Sequence, residues 1–330
     1  MTPREIMKAV LRFEHPPRIG MVLPDPYPHD IVWGSRQRVG WKRTELEPRG
    51  NEHARWIDEW GNTWASLTDY DKGEVVQGAI TDWSQLEGYR PPDCGRKEDY
   101  AKAAEVFAAA GDKFRVGGMF GLTFNVARYI RKLEHYLCDL ALEPEKIARL
   151  NAMVRQQLLV TIDRLAEAGA DAIMFGEDWG TQDRLMISPA MWRAVFRPEF
   201  EALCGRAHER GLFVFMHSCG KMTDIIGDLI ACGVDLLQFD QPRLHGIELL
   251  GRQFGGKVTF WCPVDIQTTL QTRDPNLIRE DARLLVEHLG SHGGGFVAGY
   301  YEGNQAIGLT PDVQDIACRA FVEFGQMTGK

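Results

Sequence analysis

The apolar positions of this chain fall into two regimes. From Lys97 onward, short apolar runs alternate with stretches of helical spacing; before that the pattern is broken and polar. The runs 114–120, 170–175, 212–216, 235–239, 257–261 and 295–298 predict buried parallel strands, because a strand covered on both faces reads as a continuous apolar run. Helices are predicted near 97–111, 123–141, 143–168, 188–210, 222–232, 244–253, 275–290 and 311–327. Their ends carry local signals: Ser188 caps ahead of Pro189, and Gly211 stops the helix. An earlier helix opens on Thr2, Pro3 and Glu5, and a strand at 18–23 follows it.

Such repeated alternation implies a parallel sheet with helical crossovers. No glycine fingerprint follows the first strand, as a dinucleotide-binding fold would require. With 18–23 included, the strands number about seven or eight, which favours an α/β (β/α)8 TIM barrel over an open sheet. A single domain over 1–330 is expected, with residues 29–96 as an irregular, aromatic-rich excursion covering the barrel. Trp33, Trp41, Trp56, Trp60, Trp64 and Trp83 crowd this segment, and 60–64 reads as a turn between short strands. These rings either wall a pocket for a flat ligand or pin the excursion down.

Composition removes several classes of function. The 330 residues are 44% hydrophobic and 25% charged, as in an ordinary globular protein. A net charge of -8 without a basic run argues against nucleic-acid and anionic-membrane partners. No apolar segment approaches the roughly 20 residues of a membrane span. The opening Met1-Thr2-Pro3-Arg4-Glu5 lacks the apolar core of a signal peptide, and the 7 cysteines are dispersed. A cytoplasmic location is therefore expected.

Candidate chemistry gathers at the predicted strand ends, where barrels place their sites. Leu212–Met216 is followed by His217, Ser218, Cys219 and Gly220. Residues i and i+2 of a strand share a face, so imidazole and thiol aim at one point, a donor pair suited to zinc. A cysteine there is more often a small buried hydrophobe. Cys262, directly after the strand 257–261, adds a second thiol and completes a candidate trio of His217, Cys219 and Cys262. Three protein ligands with one open position describe a catalytic zinc site. Glu177, Asp240 and Glu302 are candidates for a fourth ligand. Asp178 and Glu177 are candidates for acid–base work, and Gln182, Asp265, Tyr300 and Tyr301 for substrate contacts.

Together these segments resemble the uroporphyrinogen decarboxylase-like superfamily, in its zinc-dependent, corrinoid-linked methyltransferase branch. The resemblance is carried by Glu14-His15-Pro16-Pro17-Arg18, Asp58-Glu59-Trp60-Gly61 and Tyr89-Arg90-Pro91-Pro92-Asp93. Further along it rests on Asp178-Trp179-Gly180-Thr181-Gln182 with Ser188-Pro189, on His217-Ser218-Cys219-Gly220, and on Val264-Asp265-Ile266-Gln267 and Gly293-Gly294-Gly295-Phe296. It implies a barrel in which His217 and Cys219 hold zinc, and methyl exchange with a corrinoid on a separate protein. No corrinoid-binding motif is present in this chain.

Two departures bear on the chemistry. The decarboxylases carry an arginine-rich motif near the amino terminus, whereas this chain reads Gly20-Met21-Val22-Leu23-Pro24-Asp25. Related methyltransferases take a third zinc ligand from a cysteine after the last strand; here Tyr300-Tyr301-Glu302 stands there, and Cys262 is the expected substitute. The leading expectation is O-demethylation of a methoxylated, aromatic small-molecule donor, with the methyl passed to a corrinoid protein. The alternatives are transfer from a methyl-corrinoid to a thiol or folate, and a metal-free decarboxylase or lyase anchored on Asp178. A homodimer is compatible with the resemblance.

Overall fold

The computed structural model describes residues 1–327. Its strands are Gly20–Met21 (β1), Ile31–Ser35 (β2), Thr44–Leu46 (β3), Ala54–Ile57 (β4), Thr63–Ser66 (β5), Glu74–Gln77 (β6), Phe114–Gly118 (β7), Ala172–Gly176 (β8), Phe213–His217 (β9), Leu236–Gln238 (β10), Thr259–Cys262 (β11) and Phe296–Ala298 (β12). Eight of them form one parallel sheet in the order β1-β12-β11-β10-β9-β8-β7-β2. The two ends of this sheet meet at Asp30. Its N–H donates to the Met21 carbonyl at 2.8 Å, and its own carbonyl accepts from Phe114 N–H at 2.8 Å. The Asp30 carboxylate is held by Arg18 at 2.7 Å and accepts Met21 N–H at 2.8 Å. The expected (β/α)8 barrel is the observed fold.

Two layers of apolar packing follow from strand alternation. Phe114, Val116, Ala172, Phe215, Leu236, Trp261 and Val297 point into the barrel and form one cluster. The helix Pro3–Arg12, opened by the expected Thr2/Glu5 capping box, adds Ile6, Met7, Val10 and Leu11 to the same cluster. The alternate residues, among them Ile173, Val214, Met216, Leu237, Phe260 and Cys262, face the surrounding helices.

Three expectations are adjusted. The eighth barrel strand is β2, which lies inside the segment read as excursion. Its Ile-Val-Trp-Gly-Ser run lacks a continuous apolar signature because Trp33 and Ser35 reach the open mouth. The helix expected over 123–141 breaks at Lys132, whose φ of 67° is left-handed, into Thr123–Arg131 and Leu133–Leu142. Likewise 188–210 divides at Phe196 into Pro189–Val195 and Arg197–Glu209.

The rest of the excursion is an ordered antiparallel sheet, β3-β4-β5-β6. The predicted turn between β4 and β5 is organised by Asp58, whose carboxylate accepts the N–H of Trp60, the N–H and side chain of Asn62, and Trp64 Nε1 at 2.7–2.9 Å. Trp64 then packs 4.9 Å from Tyr129 and 6.4 Å from Phe120, which seats this sheet on the helix that follows β7. No helix among the described residues is long and apolar enough to cross a membrane.

Candidate metal centre at the barrel mouth

Register decides which side chains meet at the mouth. Gly176 pairs with His217, His217 with Gln238, and Gln238 with Trp261, so these residues share one rung. Two residues further along their chains stand Asp178 and Cys219, on the same side by strand parity. His217 Nε2 lies 3.3 Å from Cys219 Sγ and 3.8 Å from an Asp178 oxygen. Asp178 also accepts the Cys219 N–H at 2.9 Å. One ligand-type atom from each of the three lies within 4.8 Å of the other two.

Two glycines allow the loops that carry this trio to touch. A Cβ on Gly220, at φ +74°, would lie 2.2 Å from the Gly180 carbonyl oxygen, and one on Gly180 would lie 2.3 Å from Lys221 N. Any larger residue at either position drives the Asp178 and Cys219 loops apart.

The imidazole is held in one orientation. Gln238 Nε2 donates to Asp240 at 2.8 Å, which turns the Gln238 carbonyl oxygen toward His217 Nδ1. An amide oxygen only accepts, so the proton sits on Nδ1 and the Nε2 lone pair faces Cys219 and Asp178. Such an orienting partner is the usual companion of a metal-bound histidine. Desolvation and the nearby Asp178 and Asp240 carboxylates push the Cys219 thiol up to about 12, although the side chain opens to solvent. Without a cation this thiol stays protonated; a divalent ion answers the same negative surroundings and suits the mixed N, O and S donors.

Glu177 does not reach the trio. It is buried, and its Oε1 accepts the N–H groups of Leu122 and Asn125 at 2.8 and 2.9 Å, capping the helix Thr123–Arg131. Oε2 has no hydrogen-bond partner among the described residues, and burial raises the carboxyl to about 8. This is the environment of a protonated, structural carboxyl. From the helix it caps, Arg128 extends to within 3.7 Å of Asp178.

The floor of the mouth is aromatic. Trp33 stacks on Trp261 with ring centroids 6.2 Å apart, and Trp33 remains 44% exposed above the barrel core. A cavity of about 580 Å³ runs from Trp33, Ser35, Met119 and Phe120 toward Arg36. A second, of about 820 Å³, lies between the β5–β6 hairpin and the loop after β12, with Tyr70, Lys72 and Tyr301 in its wall.

The other expected site residues are distributed as follows. Cys262 is the main correction: it is fully buried on the outer face of β11, against the helices. Trp261 is the residue on the His217 rung, and one step along a strand reverses the side. Burial, reinforced by the Asp240, Asp265 and Asp281 carboxylates, holds its thiol far above the ordinary range. Asp265 is also buried, its oxygens taken by the N–H groups of Gln267, Thr268 and Arg243, so it fixes a turn and leaves nothing for a substrate. Gln182 sits exposed in the turn bounded by Thr181 and Arg184. Tyr300 accepts a hydrogen bond from Asn304 at 2.7 Å, whereas Tyr301 faces the larger cavity. Asp240 supports Gln238, and Glu302 lies in the wall of the larger cavity. His245 is buried under Phe239, and desolvation lowers it to about 4.

Gln238 and Arg128 were not singled out by the sequence. Gln238 is the one with a readable signal, a polar residue inside an apolar strand.

Among curated proteins, none matches the sequence. A methyltransferase from Methanosarcina mazei superimposes with a TM-score of 0.63 at 16% identity, over 81% of this chain and 76% of that one. An L-ribulose 3-epimerase (TM-score 0.47, 12% identity, 76% and 91% covered) and a D-psicose 3-epimerase in the presence of D-fructose (0.46, 12%, 74% and 88%) are more distant. At these identities the likeness is one of fold. Residues 68–326 match the family described as Uroporphyrinogen decarboxylase (URO-D), and with most of its length matched the chain belongs to that family.

Proposed function

We propose that this protein is a zinc-dependent methyltransferase that removes the methyl group of a methoxylated aromatic donor and passes it to a corrinoid on a partner protein. The observation that carries the reading is the convergence of Asp178, His217 and Cys219, with His217 oriented by Gln238. These three side chains would hold the metal and leave a position open toward the mouth. Zinc bound there would supply a Lewis acid for the ether oxygen. Around it, Asp178 and the Gln238–Asp240 pair hold the ligand groups in place. Trp33 and Trp261 offer a flat apolar floor for a ring, and Tyr301 and Phe120 stand at the rim.

The open mouth also suits a partner that must bring a bulky acceptor close, as the family resemblance implies. The decarboxylase chemistry in the family's name is less well supported. Met21, Val22 and Leu23 pack in the core and offer no arginine for substrate carboxylates. Incubation with cob(I)alamin and a methoxylated benzoate tests the proposal: methylcob(III)alamin and a phenol should form together, and a strong chelator should stop both. Carbon dioxide release that survives chelation would favour the metal-free decarboxylase instead.

A further inference from the structure

We propose that Arg128 is the receiving group for an anion on the substrate, so that the methyl donor is a carboxylate-bearing methyl ether. This rests on the trio of Asp178, His217 and Cys219 as the metal-holding end of the same site. Arg128 belongs to the helix Thr123–Arg131, directly beside the mouth, and its side chain is only 13% exposed. Its guanidinium lies 4.8 Å over the Tyr129 ring and 5.5 Å over Phe124, and Nε donates to Asn125 at 2.6 Å. The group is therefore clamped in one pose before any ligand arrives, which lowers the ordering cost of binding.

Its hydrogen-bonding capacity is far from used. A guanidinium has five N–H donors. The bonds present occupy Nε and one Nη2 proton, the latter on Tyr129 Oη at 3.3 Å. Nη1 has no hydrogen-bond partner among the described residues. The nearest carboxylate, Asp178, is 3.7 Å away, beyond hydrogen-bond range. Arg36 and Arg131 are matched more closely: Arg36 meets Glu59 at 2.7 Å and Asp99 at 3.0 Å, and Arg131 meets Asp139 at 2.7 Å. A mostly buried cation whose ion-pair partner stands off at 3.7 Å gains from an anion that reaches its open edge.

The metal sharpens this requirement. Once Asp178 shares its charge with a cation, Arg128's ion pair with it weakens, and its free edge is left for a planar carboxylate, the anion its fork matches. Arg128 stands 3.7 Å from Asp178, so a carboxylate at Arg128 and an ether oxygen at the trio can belong to one small molecule. Phe120, half exposed, packs 5.7 Å from Tyr129, the ring under the Arg128 guanidinium.

Calorimetric binding to the metal-replete full chain tests this with 4-methoxybenzoate, the neutral isostere 4-methoxybenzyl alcohol, and methoxyacetate. Wild type should prefer the acid to the alcohol. Arg128→Gln should weaken 4-methoxybenzoate by roughly ten- to a hundredfold while leaving the alcohol within about twofold. Arg128→Lys, which keeps the charge and loses the fork, should fall between. Metal content and circular dichroism check that each variant is folded and loaded. Binding of methoxyacetate but not of 4-methoxybenzoate, still lost in Arg128→Gln, would keep the anion site and remove the aromatic donor of the proposed function. Equal wild-type affinity for acid and alcohol, equal loss of both in Arg128→Gln, or no binding of either acid would overturn the inference, whatever the metal content.

Discussion

His217 and Trp261 occupy one rung of the barrel, joined through Gln238. That relationship assigns the thiols: Cys219 stays on the face of His217, and Cys262, one residue past Trp261, is turned outward. Cys219→Ala should lose most bound zinc. Cys262→Ala should keep it and instead lose roughly 1–3 kcal/mol of stability for the sulfur removed from a closed core. Elemental analysis with thermal unfolding separates the two effects.

Asp178→Asn removes a ligand charge while conserving shape. Its zinc affinity should fall by at least about tenfold, and Gln238→Leu, which frees the His217 ring, should fall by roughly ten- to a hundredfold. Competition with a chromophoric chelator measures both. Unchanged affinity in Gln238→Leu would mean that packing alone orients the imidazole.

Glu177 makes the metal-free protein pH-sensitive. Its folded value, about 8, lies above the ordinary 4.5, so between these values the folded state binds the proton and the unfolded chain has released it. Stability therefore declines as pH rises from about 4.5 to about 8 and levels off above, with a slope of at most about 1.4 kcal/mol per pH unit. Glu177→Gln keeps an oxygen for the Leu122 and Asn125 N–H groups and should flatten that decline. Chemical denaturation of both proteins at pH 5 and pH 8 checks the sign.

The aromatic floor depends on a glycine. A Cβ on Gly299 would lie 2.7 Å from Trp261 Nε1 and 3.1 Å from the Cys262 backbone. Gly299→Ala should displace the Trp33–Trp261 stack, shift tryptophan emission and cost roughly 1–3 kcal/mol. A variant with native emission and stability would show that the floor is more pliable than its packing implies.

Most of the barrel was legible because strands covered on both faces announce themselves as apolar runs. His217 and Cys219 were legible for a related reason, since a spacing of two guarantees a shared face. Cys262 was misplaced because the strand was read as ending at 261, and a single step of register is invisible without the neighbouring strands. β2 was hidden by Trp33 and Ser35, residues exposed at the mouth, where the apolar pattern lapses. Arg128 had no sequence signal at all; its meaning comes from the loop that brings Asp178 beside it. Glu177 looked catalytic and Asp265 substrate-binding as acids near strand ends, and both are engaged by backbone N–H groups.

The most direct test is X-ray absorption at the zinc edge on metal-replete wild-type protein. One equivalent of zinc should show a single sulfur neighbour near 2.3 Å, with nitrogen and oxygen neighbours at about 2.0–2.2 Å. Two sulfur neighbours, or no stoichiometric zinc, would contradict a centre built from Asp178, His217 and Cys219.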